Sequence, residues 1–239
     1  METAITDSLE GPKRAGGWQG FAADWSSDQR AFKSALWGKA MIWIFLLSDT
    51  FIFSCFLLSY MTVRMSTTVP WPDPGEIFIL TIGGTKYPLL LIAIMTMILI
   101  SSSGTMAMAV NFGYRRDRVK TTALLLTTAA FGATFVGTQA FEWTTLILEG
   151  VRPWGNPWGA AQFGACFFLI TGFHGTHVTI GVIFLLITAR KAWRGDFDRH
   201  ARGFFTSRKG DYENVETMGL YWHFVDLVWV FIFALFYLW

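Results

Sequence analysis

Charge is scarce in this chain. Asp, Glu, Lys and Arg together make only 15 % of its 239 residues, while 53 % are hydrophobic and 17 % aromatic. With a mean hydropathy of +0.41, that excludes an ordinary soluble domain and points to a membrane protein. The formal net charge of +2 gives no sign of nucleic acid binding. Cysteine is nearly absent. Cys55 and Cys166 both lie in apolar runs without metal spacing or a secreted disulfide framework, and both read as small buried hydrophobes. Residues 1–36 contain no apolar run, so no cleavable signal peptide is expected. There is no internal repeat, which argues against an inverted-repeat transporter.

What is present is five stretches long enough to cross a bilayer, which takes about 20 apolar residues. They lie near 38–62, 87–111, 120–145, 160–189 and 217–238. None of the seven prolines falls in a span interior, and Pro88 is expected in a first helical turn. The expected fold is all-α, an integral membrane bundle of five transmembrane helices over 37–239. Placing the N-terminus inside puts sixteen Lys and Arg on the inner side and only Arg64, Lys86 and Arg152 outside. The N-terminus is therefore expected in the cytoplasm and the C-terminus outside.

Residues 1–36 are expected to form a cytoplasmic tail. Within it, Trp18, Phe21, Trp25 and Phe32 recur at a spacing that fits an interfacial helix. The loop at 66–86, rich in Pro, Gly and Thr, reads as an outer surface loop, and 195–213 as a solvated inner connector that includes His200. Six methionines between 61 and 109 read as packing residues. Trp37, Trp43, Trp154, Trp158 and Trp239 sit near span ends, as an interfacial aromatic belt requires. Gly132 and Gly137 are five apart and form no small-x-x-x-small pair.

Seven ionisable residues lie within or at the ends of these spans: Asp49, Glu142, His174, His177, Glu216, His223 and Asp226. An acid at a helix centre costs about 2.5–3.5 kcal/mol on insertion scales, so such groups are kept for a partner, a lipid or a proton. Asp49, about ten residues into its span, lies roughly 15 Å deep, close to the midplane. Glu216 and His223 are seven apart on one helix face, with Asp226 three further on nearly the same side. His174 and His177 are flanked by Gly172, Gly175, Thr176 and Thr179, small residues and hydroxyls that let another helix approach. The polar faces of the fourth and fifth spans are thus expected to meet each other or a lipid headgroup. His-x-x-His on one helix and a single further His on another match no zinc, di-iron or bis-histidine haem pattern, so no metal is expected.

The motifs around these residues converge. Tyr221-Trp222-His223-Phe224-Val225-Asp226 with Val228-Trp229, and Thr171-Gly172-Phe173-His174-Gly175-Thr176-His177-Val178, resemble the fifth and fourth spans of subunit III of haem–copper oxidases, the cytochrome c oxidase family. Gln139-Ala140-Phe141-Glu142-Trp143 and Ser48-Asp49-Thr50-Phe51-Ile52-Phe53 are similar to that family's third and first spans in the short five-span bacterial form. The resemblance runs over about 36–239. It departs in two places. Asp49 stands where the family commonly has Glu, and Pro88-Leu89-Leu90-Leu91 lacks the usual Asn-Thr that follows.

The resemblance implies an accessory subunit of a respiratory oxidase that reduces O2 to water and pumps protons. It implies no catalytic residue and no haem or copper in this chain; those groups belong to partner subunits. It implies packing on subunit I near the mouth of a proton-uptake path, with subunit II, other small subunits and a respiratory supercomplex as further partners. Phospholipid held in a cleft between helices is implied too, as is a longer working life for the enzyme, in a bacterial cytoplasmic membrane. Asp49, Glu142, His174, His177, Glu216, His223 and Asp226 would then organise the lipid cleft and the helix contacts, with Asp49 on the cleft or subunit I side. The competing readings are subunit III of a quinol oxidase or a relative associated with nitric-oxide reductase, a membrane redox enzyme using His174, His177 and His223, and a proton-coupled transporter using Asp49, Glu142 and Asp226.

Overall fold

A computed structural model describes residues 37–82, 85–197 and 212–239. The tail and interfacial helix expected before 37, and most of the connector with His200, lie outside these residues. Five helices are long and apolar enough to cross a membrane. They are α1 (Trp37–Ser66), α2 (Leu90–Tyr114), α3 (Arg118–Leu148), α4 (Gln162–Arg194) and α5 (Glu213–Phe233), the last extended by a π-helical stretch, Ala234–Leu238. Each contains the corresponding stretch expected from hydropathy to within a few residues.

Helix starts and stops follow local chemistry. Asp117 caps α3, accepting from the Lys120 backbone N–H at 3.2 Å. That bond holds its carboxyl below the usual carboxylate range. Gly195 ends α4 in the left-handed region at φ 73.

The loop after α1 is more ordered than its composition implies. Asp73 caps a single helical turn, Pro74–Ile77. A two-stranded antiparallel hairpin follows, β1 (Ile79–Ile82) with β2 (Thr85–Pro88), in the register Ile79 opposite Pro88. Pro88 therefore closes a strand and does not open a helix. A strand end tolerates its missing N–H. Leu89 makes the corner in the left-handed region at φ 58, its N–H donating to Phe78 O at 2.8 Å, and α2 begins at Leu90.

Helices α2, α3, α4 and α5 form a closed four-helix arrangement in which each packs on the next and α5 returns to α2. Helix α1 lies outside it, against α4 and α5. Cys55, on this peripheral helix, is consequently exposed and not buried, while Cys166 is half-buried.

The centre of the four helices is Trp222. Its ring lies over Gly132 of α3 and Gly181 of α4: a Cβ on either would come within 2.5 and 2.9 Å of the indole. Its indole N–H donates to Ser102 Oγ of α2 at 3.0 Å. One side chain thus locks four helices. Gly132 earns no weight from spacing, yet it is where the backbone must come closest. Trp229 repeats the device two turns on, donating to Thr96 Oγ1 at 3.1 Å. Such close fits matter in a bilayer, because lipid tails remove most of the hydrophobic drive between helices.

Candidate functional site: the polar groups within the bundle

Asp49 of α1 is buried and points at α4, where His177 Nε2 lies 3.4 Å from Asp49 Oδ1. His177 Nδ1 is 2.9 Å from the Phe173 carbonyl oxygen. A carbonyl only accepts, so Nδ1 carries hydrogen and Nε2 faces the Asp49 carboxyl. A buried acid beside an imidazole is less costly than an isolated one. The Tyr221 hydroxyl donates to the His177 backbone oxygen at 2.9 Å, and Phe53 packs against both His174 and His177.

His174 is fully enclosed. It stacks on Trp229 at 5.4 Å and meets the edge of Phe135 at 5.9 Å. Neither ring nitrogen has a hydrogen bond. The imidazole serves as one more ring in an aromatic box, at the desolvation cost of an unsatisfied polar group.

Glu142 of α3 is buried too, accepting from Gln139 Nε2 at 2.7 Å and from the Tyr237 hydroxyl at 3.2 Å. Tyr237 lies in the π-helical stretch, whose wider turn changes which residues face inward. Nothing in the pattern of the final residues signals that turn, so Tyr237 was not legible as a partner.

The remaining three residues sit along α5. Glu216 is held from two sides, by Lys39 Nζ of α1 at 2.5 Å and by the Tyr114 hydroxyl of α2 at 2.5 Å. His223 Nδ1 lies 2.7 Å from Ser103 Oγ of α2. Asp226 is buried with neither oxygen hydrogen-bonded.

The expectation that the fourth and fifth spans meet through polar faces therefore holds in part. His174 and His177 contact α5, but Glu216 and His223 turn to α1 and α2. Thr176 and Thr179 bond back to their own helix, and only Thr171 bonds across, accepting from Trp143 Nε1 at 3.2 Å. Among the described residues, no three His, Cys, Asp or Glu side chains come together as a metal ion would need.

Of the three buried acids among the described residues, Asp49 lies beside His177 and Glu142 accepts from Gln139 and Tyr237, while Asp226 shares its helix with His223. Comparison with known proteins gives the arrangement its family. Residues 34–239 match the family model described as cytochrome c oxidase subunit III. The chain belongs to that family.

Similar members include cytochrome c oxidase subunit 3 of Thermostichus vulcanus, 32 % identical over 82 % of this chain and 84 % of the relative. Another is the cytochrome bo(3) ubiquinol oxidase subunit 3 of Pseudomonas aeruginosa, 29 % identical over 82 % and 83 %. A third is the quinol oxidase subunit 3 of Bacillus spizizenii, 32 % identical over 80 % and 82 %. As a haem–copper oxidase subunit III, the chain is a multi-pass membrane component of a multi-subunit respiratory complex.

Proposed function

We propose that this chain is the non-catalytic subunit III of a bacterial terminal oxidase of the cytochrome c oxidase type, bound to subunit I. There it holds phospholipid against its helices, supports proton uptake and prolongs the enzyme's life in turnover. The observation that carries the reading is the family match across all five spans. The polar groups agree with it: Asp49, Glu142, Glu216 and His223 find partners inside the chain, as befits a scaffold. Haem and copper then reside in the partner subunits. The excess of Lys and Arg at the Tyr114 end supports placing that end in the cytoplasm and the Arg64 end outside.

A quinol-oxidising complex is the second reading. It is favoured by the quinol oxidase relative, as similar at 32 % as the cytochrome c oxidase one. The experiment is purification in gentle detergent through a tag on this chain, followed by a reduced-minus-oxidised spectrum. Haem bands that leave with the partner subunits when these are stripped off are the expected result, and the band type separates the two complexes. A colourless, partner-free chain overturns both.

A further inference from the structure

His174 of α4 is 1 % exposed and Gln139 of α3 is 4 % exposed. Each keeps polar atoms that no described residue satisfies: both ring nitrogens of His174, and Oε1 of Gln139. A neutral imidazole carries one N–H and one bare nitrogen, so His174 has a donor and an acceptor to satisfy. Buried polar atoms of folded proteins nearly always have a partner, either protein or ordered water. The pressure to find one is greatest inside a membrane bundle, where bulk water cannot reach.

The two residues stand on facing sides of antiparallel helices. Phe135 of α3 meets His174 of α4 with ring centroids 5.9 Å apart, and Trp143 of α3 donates to Thr171 of α4 at 3.2 Å. Gln139 is one turn from Phe135 and one turn from Trp143 on the same face, which puts it between the levels of His174 and Thr171. Helical side chains lean toward the N-terminus of their own helix, so on antiparallel helices Gln139 and His174 lean toward each other. Glu142 takes Gln139 Nε2, which leaves the oxygen end of the carboxamide free. Thr171 Oγ1 donates to the Phe167 carbonyl oxygen and accepts from Trp143, so it retains one lone pair. Phe135 and Trp229, both 0 % exposed, close the surroundings against the bilayer.

We propose that one water molecule is bound between α3 and α4 at this point, hydrogen-bonded to a ring nitrogen of His174 and donating to Gln139 Oε1, with the spare lone pair of Thr171 as a third partner. The donor set selects water. A metal ion would find at most two or three weak neutral ligands. An anion would meet one N–H beside an amide oxygen that repels it. Water both donates and accepts, and a buried water needs two to four polar partners. The bound water completes a continuous polar chain from His174 through Gln139 and Glu142 to Tyr237, joining α4, α3 and the π-helical end of α5. It fastens α3 to α4 at a level that the Trp222 indole does not reach.

The test uses the full chain in its purified complex, first unmodified. A cryo-EM map that resolves ordered water should show a density peak about 2.7–3.2 Å from both a His174 ring nitrogen and Gln139 Oε1. A direct His174–Gln139 hydrogen bond, or closed packing without a peak, overturns the proposal. A double-mutant cycle then reads the energetics through the thermal midpoint of this chain. His174→Phe and Gln139→Leu should each lower the midpoint by about 2–4 °C, because each strands the partner left behind. The double variant should lose no more than either single change, since it removes both stranded groups. Additive losses overturn the proposal, as does a midpoint raised by His174→Phe, the outcome for a dry aromatic box relieved of an unpaired imidazole.

Discussion

Helix α1 and helix α5 are built from similar apolar sequence, and they are held in place by different means. The most apolar stretch of α1 is 17 % buried and that of α5 is 50 % buried, although the mean hydropathies are 2.1 and 1.7. The more hydrophobic helix is the less buried one. In a bilayer this is no paradox, since lipid receives an apolar face as readily as protein does. What fixes a helix is fit or polar bonding. Helix α5 relies on fit, with Trp222 over Gly132 and Gly181. Helix α1 relies on polar contacts at three depths: Lys39 to Glu216, Asp49 to His177, and Arg64 to the Trp239 backbone oxygen with its guanidinium 4.4 Å over the Trp239 ring.

The largest effect should come from breaking the fit. Gly132→Leu forces a branched side chain into the indole of Trp222. Overpacking typically costs about 1–3 kcal/mol, and the lack of any gap places this substitution at or above the top of that range. Thermal unfolding of the purified complex should show this chain lost first. Next is His177→Phe, which leaves Asp49 buried without its partner. Removing one member of a buried pair costs about 3–5 kcal/mol when the charge stays uncompensated. Here Asp49 can take a proton, so the expected loss is smaller. Its signature is selective: α1 becomes accessible to protease, while α2 to α5 stay protected. The double change Asp49→Asn with His177→Phe should restore part of the loss.

Smaller again is Glu216→Gln, which weakens a half-exposed clasp. Pairs of this kind are worth about 0–1 kcal/mol, so the measurable consequence is faster hydrogen exchange at the first turns of α1 and α5 only. The smallest effect is at Asp117, where Asp117→Ala should fray the start of α3. Its carboxyl is held below the usual range in the folded chain, so the cap contributes above the ordinary carboxylate pKa and is lost as pH falls through its lowered value. The wild type and the variant should therefore differ in exchange at Lys120 at neutral pH and converge in acid.

Much of this was legible in the sequence. Span number and approximate limits follow from runs of apolar residues, and every acid or histidine inside a span stood out because the bilayer makes such residues costly. Partner choice was not legible. His223 and Asp226 share a helix with Trp222, but which neighbour each meets depends on helix order around the bundle, which periodicity does not encode. Ser103, Tyr114 and Tyr237 are unremarkable by type and become important only through position. Pro88 misled because a proline before an apolar run fits a helix start as well as a strand end, and only the pairing with Ile79 distinguishes them. Gly132 carries no motif, since the close approach it allows is to a tryptophan ninety residues on in the chain.

The proposed role is to sustain an oxidase without carrying its chemistry. The direct measurement is oxygen consumption by the purified complex during continuous turnover, with this chain present and after its removal. The same haem spectrum and a similar initial rate are expected in both preparations, with activity decaying faster when the chain is absent. Loss of haem bands and of the initial rate on removal would contradict it.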